Sequence, residues 1–255
     1  MTEPIIQVED FTARYGEALI LDHINFQVRR GEIFVVLGGS GCGKSTLLKH
    51  MIGLYKPAGG RILINGQDLA KADGAERIQI LRTFGVLFQG SGLFGSMSVG
   101  ENVALPLKEH TTLPPEIIAL IVRMKLQMVG LNGFEHHLPS EISGGMKKRA
   151  GLARAMALDP DILFFDEPSA GLDPVTSAGL DQLLLKLRAS LGTTMVVVTH
   201  ELPSIYTIAD RVIMLDSRKK KIAAEGKPLE LRDTHEDPWV RDFFRRQAGP
   251  AGGHV

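Results

Sequence analysis

The sequence G-G-S-G-C-G-K-S-T occupies residues 38–46 and matches the phosphate-binding loop pattern G-x-x-x-x-G-K-[S/T]. The preceding residues 32–37, E-I-F-V-V-L, have the composition of a buried parallel strand, and residues 47–52 continue as a helix. A loop between a strand and a helix binds anions well, because the helix N-terminus presents free N–H groups. The stretch therefore predicts an α/β fold that binds a nucleoside triphosphate.

Each residue type in this loop has a use in phosphate binding. The glycines let the backbone curl so that successive N–H groups face the phosphate oxygens. We expect Lys44 to reach the β- and γ-phosphates and the Ser45 hydroxyl to ligate Mg²⁺. The predicted nucleotide-binding residues of the loop are Gly38, Gly39, Ser40, Gly41, Cys42, Gly43, Lys44, Ser45 and Thr46. A glycine-rich loop without phosphate chemistry is the alternative, which the strand, spacing, lysine and serine together disfavour.

Composition excludes some classes of function. The chain has 255 residues, enough to bury a sizeable core, and 29 basic residues balance 29 acidic ones. A net charge of zero gives no bulk field that would favour nucleic acid as a partner. The basic runs at 146–149 and 218–221 are expected to be solvated helix faces or turns.

Cysteine use and hydropathy bear on location. The single cysteine, Cys42, excludes an intramolecular disulfide and fits a reducing compartment. The N-terminus does not resemble a signal peptide, and no apolar run approaches the roughly 20 residues that cross a bilayer. If the function involves a membrane, we expect other chains to supply the spanning part.

Periodicity predicts alternating strands and helices. Two strand-like runs within residues 5–28 surround a turn at 14–17 and predict an antiparallel hairpin. Further strands are expected at 60–64, 83–88, 162–165, 195–198, 212–215 and 221–224, and helices at 114–129 and after residue 145, ending before 159. The predicted organisation is one domain over 5–245, with a helical subdomain at about 90–155 and a disordered tail at 246–255.

A second motif ends the strand at 162–165. Asp166 and Glu167 follow four apolar residues, which is the form of a Walker B motif. A carboxylate at Asp166 can hold Mg²⁺, and Glu167 can act as general base toward a water molecule. The alternative is a strand that simply ends in solvated acidic residues. The presence of a phosphate loop in the same chain disfavours this alternative.

The sequence S-G-G-M-K at 143–147 resembles the L-S-G-G-Q signature of the ATP-binding cassette (ABC) ATPases. A serine and two glycines at a helix start expose N–H groups to an anion, although a serine that only caps the helix is the simpler interpretation. The resemblance implies that Ser143, Gly144 and Gly145 complete the nucleotide site of an opposite subunit. The active species is then expected to be a head-to-tail homodimer around two ATP molecules.

Other elements resemble ABC motifs in the family's order, over about residues 5–230. The resemblance implies that Tyr15 stacks on adenine, although a turn tyrosine that packs on the sheet is an alternative. It implies that Gln89 contacts Mg²⁺ and the attacking water, and that His200 is the switch histidine. It also implies that residues 170–173 form the D-loop, in which Asp173 crosses the dimer interface. The expected catalytic residues are thus Glu167, His200, Gln89 and Lys44, and the expected Mg²⁺ ligands are Ser45, Gln89 and Asp166.

A narrower resemblance lies in residues 87–94, 99–111 and 141–146. These look like the ATPases of Mla-type (MCE-linked) phospholipid transport systems in Gram-negative bacteria. Met146 replaces the usual signature glutamine, which fits that subfamily. The resemblance implies ATP and Mg²⁺ as cofactors, permease subunits in the inner membrane, a periplasmic MCE protein, a small STAS-domain partner in some systems, and a location on the cytoplasmic face of the inner membrane.

Two alternatives remain from the residues themselves. An ATPase of an amino-acid or other solute importer would share every catalytic motif. A soluble ABC ATPase that acts on DNA or ribosomes is disfavoured, because the stretch between Lys44 and Ser143 is too short for a long coiled coil. The segment 89–107, rich in glycine and in apolar residues expected to be exposed, is predicted to receive a helix of a partner.

The C-terminal segment 237–246 carries the only tryptophan. Trp239, Val240, Phe243 and Phe244 fall on one face of a helix, with arginines toward water. A helix docked on its own domain and an interface with another subunit are both consistent with this pattern.

Overall fold

The computed structural model describes residues 4–246, so residues 247–255 of the predicted tail lie outside the described residues. The described residues divide into two compact units: the first unit comprises 4–71 and 198–246, and the second unit comprises 72–197. In the described residues no helix combines the length and apolar character needed to cross a membrane.

Ten strands form within the described part of the chain. They are β1 Pro4–Tyr15, β2 Ala18–Arg29, β3 Ile33–Gly38, β4 Gly59–Ile64, β5 Gln67–Asp68, β6 Phe84–Leu87, β7 Ile162–Asp166, β8 Thr194–Val198, β9 Arg211–Asp216 and β10 Lys221–Gly226. Every strand predicted from the sequence is present, with ends that differ by one or two residues.

Nine α-helices accompany them in the same residues. They are α1 Lys44–Met51, α2 Gly74–Arg82, α3 Val99–His110, α4 Pro115–Met128, α5 Gly144–Ala155, α6 Pro174–Leu191, α7 Leu202–Ile208, α8 Pro228–Thr234 and α9 Pro238–Arg245. The predicted helices at 114–129 and after residue 145 correspond to α4 and α5.

The first unit contains two kinds of sheet. β1 and β2 form the predicted antiparallel hairpin, which continues through β4 to β5. β3 pairs in parallel with β9, and β10 pairs antiparallel with β9. All six residues of β3 are buried, which agrees with the continuous apolar run that a parallel strand covered on both faces requires.

The second unit orders its strands β8-β7-β6 and packs helices α3, α4 and α5 together. β6 and β7 are parallel. A Cβ atom at Gly85 would lie 2.0 Å from the carbonyl oxygen of Ala155, so only glycine lets the end of α5 approach β6 this closely.

The segment 89–107 differs from its prediction. Ser98 caps α3 through a capping box with Glu101, so the second half of the segment is helical. Val99, Val103 and Leu107 are buried in the core of the second unit. The expectation that the apolar side chains of this segment are exposed holds for Phe94 and is wrong for these three, because the helix turns them inward.

Candidate nucleotide-binding and catalytic site

The phosphate loop connects β3 to α1 in the first unit. Gly38 has φ +145°, and a Cβ atom there would lie 2.6 Å from Cys42 Sγ and 2.7 Å from the carbonyl oxygen of Leu215. Gly43 is the N-cap of α1 with φ +101° and has no side chain with which to cap the helix. The first-turn N–H groups of α1 are therefore suited to an anionic ligand.

Lys44 folds toward the loop that precedes it. Its Nζ donates hydrogen bonds to the carbonyl oxygens of Gly38 (2.9 Å) and Gly39 (3.0 Å). The ammonium charge therefore lies at the loop, where the sequence predicts the β- and γ-phosphates.

Two further predicted residues belong to the first unit. Tyr15 ends β1, is exposed, and meets the ring of Tyr55 edge to face with 5.9 Å between ring centroids. His200 is exposed and follows β8. Its neighbour Thr199 donates a backbone hydrogen bond to the carbonyl oxygen of Val36 in β3, which fixes the start of the histidine segment beside that strand.

The second unit brings together Gln89, Asp166 and Glu167. β6 and β7 pair in parallel with Leu87 opposite Phe165, so both strands deliver the residues that follow them to the same sheet edge. Asp166 is the last residue of β7, and Glu167 follows with φ +47°. A non-glycine residue in this region is strained, and such strain concentrates at functional sites.

Lys148 links these residues and was not predicted. Its side chain is buried with 6% exposed, and its Nζ donates to the backbone carbonyl oxygens of Gln89 (2.5 Å) and Glu167 (3.3 Å). Burial lowers the pKa of Lys148, whereas the nearby carboxylates of Asp166 and Glu167 oppose that shift. The prediction that the basic run 146–149 is a solvated helix face is therefore wrong for Lys148.

The signature segment begins α5 and lies against the D-loop. Ser143 is the N-cap of α5 and accepts a hydrogen bond from Met146 N at 3.3 Å, so its capping role is observed. A Cβ atom at Gly145 would lie 2.5 Å from Thr176 Cγ2, which shows how closely α5 approaches the start of α6. A Cβ atom at Gly144 would meet Leu172 Cδ2 at 3.9 Å, which is an ordinary van der Waals distance.

Asp173 caps α6 within its own chain. Its carboxylate accepts from Val175 N and Thr176 N, each at 3.0 Å, and from the Thr176 hydroxyl at 2.5 Å. Hydrogen bonds from the Thr176 hydroxyl and its backbone N–H hold the pKa of Asp173 below its usual value. Thr176 therefore joins the D-loop cap to the signature glycine.

Sequence reasoning missed Lys148, Thr176 and Asn102. Asn102 is fully buried in α3 and binds the loop before it: its Oδ1 accepts from Phe94 N (2.8 Å), and its Nδ2 donates to the carbonyl oxygens of Phe94, Met97 and Ser98. An asparagine among apolar residues of a helix face is the sequence signal that could have indicated a buried, hydrogen-bonded role for Asn102.

Ser45 in the first unit, and Gln89 and Asp166 in the second, each carry an oxygen donor of the kind that a hard cation prefers. Within residues 4–246 no cluster of three His, Cys, Asp or Glu side chains forms that could hold a metal by itself. Mg²⁺ commonly binds through one or two protein oxygens together with substrate phosphates and water, so side chains of this kind suit it.

The phosphate loop, the acidic end of β7 and the capped signature helix define a P-loop ATPase of the cassette type. The family model described as "ABC transporter" matches residues 21–170, and the chain belongs to this family. It therefore binds ATP and is an ATPase.

Curated relatives align over nearly the whole chain. A protein from Haemophilus influenzae called "Intermembrane phospholipid transport system ATP-binding protein MlaF" is 41% identical over 251 residues, covering 98% of this chain and 94% of its own length. A protein from Mycobacterium leprae called "Probable ribonucleotide transport ATP-binding protein mkl" is 45% identical over 248 residues, covering 97% of this chain and 71% of its own length.

Solved structures share the fold. CbiO1 from Clostridium perfringens, described as part of an ABC transporter complex, has a TM-score of 0.82 at 29% identity and covers 89% of this chain and 90% of its own. The dimeric cassette MJ0796, bound to ADP and Pi, has a TM-score of 0.78 at 32% identity over 87% of this chain and 98% of its own. The predicted fold class is confirmed.

Proposed function

We propose that this chain is the ATP-hydrolysing subunit of an inner-membrane ABC transporter of the Mla type, which moves phospholipid between the inner and outer membranes. The observation that carries the proposal is the 41% identity to MlaF with 94% of that relative's length covered. The S-G-G-M signature at 143–146 and the segment 87–111 support the same subfamily.

The proposed chemistry is hydrolysis of the terminal phosphoanhydride of ATP. Glu167 accepts a proton from water as the water oxygen bonds to the γ-phosphorus and the bond to the ADP oxygen breaks. Lys44 and the N–H groups at the start of α1 stabilise charge on the phosphates, since Lys44 Nζ already lies at the loop. His200, exposed at the end of β8, is proposed to hold the γ-phosphate.

Ser45, Gln89 and Asp166 are the proposed ligands of Mg²⁺, which when bound neutralises charge between the β- and γ-phosphates. Tyr15 is proposed to stack on adenine, because its ring is exposed at the end of β1. The position of Glu167 directly after β7, next to Asp166, supports the assignment of this residue as the general base.

We also propose a head-to-tail homodimer in which Ser143, Gly144, Gly145 and Asp173 complete the partner's site and ATP binding closes the two subunits. The dimeric cassette among the structural neighbours supports this arrangement. Permease subunits, a periplasmic MCE protein and a small STAS-domain protein are the proposed partners, on the cytoplasmic face of the inner membrane.

Purification of the tagged chain from its own membrane in mild detergent tests the transport proposal. Mass spectrometry is expected to find permease and MCE chains together with bound phospholipid, and added phospholipid is expected to change the ATPase rate of the complex. The name of the mycobacterial relative makes ribonucleotide transport the second candidate. A complex that lacks lipid and responds to ribonucleotides, or to an amino acid, would contradict the lipid proposal.

A further inference from the structure

We propose that Lys148 is a positioning residue for ATP hydrolysis, which holds the backbone of Gln89 and of Glu167 in one arrangement. The observations are two hydrogen bonds from one buried ammonium to two carbonyl oxygens 78 positions apart in the sequence. The inference rests on the proposed role of Glu167 as general base.

The contacts explain why a lysine serves at this place. Its ammonium carries three donors, so it can bond both carbonyl oxygens at once, and its apolar stem lies in the buried face of α5. The carbonyl oxygen of Glu167 also accepts from Ala170 N at 3.2 Å, which closes a turn around the strained residue. Removing the ammonium would leave the Gln89 and Glu167 carbonyls with weaker restraint at the edge of the sheet.

The position of Lys148 on α5 connects the two restrained carbonyl groups to the signature segment. It lies on the helix that Ser143 caps, so the signature segment and this ammonium move as one element. A shift of α5 would displace the carbonyl oxygens of Gln89 and Glu167 with it. Catalytic groups displaced by about 1 Å lose up to about 100-fold in rate, so such a residue affects hydrolysis without touching the nucleotide.

The test uses the purified transporter complex with Lys148→Met, which keeps side-chain length and removes the donors. The kcat for ATP hydrolysis is expected to fall about 10- to 100-fold while KM for ATP changes less than about twofold, because binding groups stay in place. Lys148→Arg retains donors and a positive charge, and it is expected to restore part of kcat.

Lys125→Met is the matched control. Lys125 is also a buried lysine of the second unit, but its ammonium pairs with Asp159 rather than with the two carbonyls. This variant is expected to lower the melting temperature and to leave kcat of the folded complex unchanged. An equal loss of kcat in both variants, or a loss that follows the folded fraction alone, would overturn the inference.

A double variant separates this inference from the role of Glu167. If Lys148 acts through Glu167, adding Lys148→Met to Glu167→Gln is expected to give no further loss of kcat. Multiplied losses would mean that Lys148 does not act through Glu167, and they would overturn that part of the inference while leaving the general-base assignment intact. Parental hydrolysis by Glu167→Gln itself would overturn the general-base assignment and this inference together.

Discussion

The hydroxyl of Tyr206 in α7 donates a 2.6 Å hydrogen bond to the carbonyl oxygen of Phe244 in α9. Val240 and Phe244 are buried, and Arg218 lies over the ring of Trp239 at 5.0 Å. The apolar face of the last helix therefore packs on its own unit. Of the two interpretations open from the sequence, the structure favours intramolecular docking.

Truncation after Glu236 is expected to lower the melting temperature of the isolated ATPase. Loss of two buried side chains removes roughly 3–6 kcal/mol of burial free energy as an upper limit, and at about 2–4 °C per kcal/mol this corresponds to a fall of at most about 6–24 °C. Truncation after Arg246, which keeps α9, is the control. Unchanged melting together with weakened assembly of the complex would instead support an interface role for this helix.

The sequence predicted the strands well because their patterns are local. β3, β7 and β8 are short apolar runs bounded by loop residues, and a buried parallel strand requires that composition. The phosphate loop was equally predictable, because its glycines and Lys44 stand at fixed spacing. The structure places this loop between β3 and α1, as the sequence predicts.

The buried polar residues could not be predicted, because their partners lie far away in the sequence. Lys148 contacts a residue 59 positions before it and another 19 positions after it. Lys148 lies in the basic run 146–149, and basic runs are usually solvated. The pairing of β6 with β7 brings the carbonyl oxygens of Gln89 and Glu167 to the same sheet edge. Helix α3 was missed because Gly100 and Pro106 obscure its apolar period.

Asn102→Ala is expected to destabilise the chain. The side chain bonds backbone groups of Phe94, Met97 and Ser98, and its loss would leave buried donors and acceptors unsatisfied. We expect a cost of about 1–3 kcal/mol and a melting temperature lower by about 2–12 °C. Asn132→Ala, at an exposed position, is the control and is expected to change little. Equal melting of the two variants would show that the Asn102 contacts do not contribute.

Alkylation of Cys42 is expected to be slow in the folded chain. Its position near a helix N-terminus predicts a lowered pKa, but the structure shows the thiol buried with 2% exposed, and burial raises its pKa. The thiolate fraction at neutral pH is therefore below that of a free cysteine, and the labelling rate is expected to keep rising at pH values above the ordinary thiol pKa.

Iodoacetamide labelling at pH 8 measures this effect, with the urea-unfolded chain as reference. We expect the folded chain to react at least about tenfold more slowly, to be protected further by Mg-ATP, and to lose ATP binding once alkylated. Labelling as fast as that of the unfolded chain would contradict the burial argument. Equal rates with and without nucleotide would remove Cys42 from the nucleotide site.

Tyr55→Ala is expected to weaken ATP binding through Tyr15. The edge-to-face contact between the two rings orients Tyr15, which is proposed to stack on adenine. The energy of one aromatic pair sets an upper limit of about 2- to 13-fold on the fall in affinity. Tyr55→Phe keeps the ring and is expected to bind normally, as is Leu54→Ala at the adjacent exposed position. Titration with a fluorescent ATP analogue measures the affinity of each variant. If Tyr55→Ala binds the analogue as tightly as the parent, Tyr55 does not have this role.

Glu167→Gln is expected to abolish hydrolysis while ATP binding persists. The amide is nearly isosteric but cannot accept a proton, so the rate is expected to fall by at least about 100-fold. Lys148 bonds the backbone carbonyl oxygen of Glu167, which the substitution leaves in place, so the local backbone is expected to remain intact. ATP-dependent dimers should then accumulate, measured by light scattering after size-exclusion chromatography.

Glu76→Gln, at an exposed position of α2, is the control. Hydrolysis by Glu167→Gln at the parental rate in the full complex would show that another group accepts the proton.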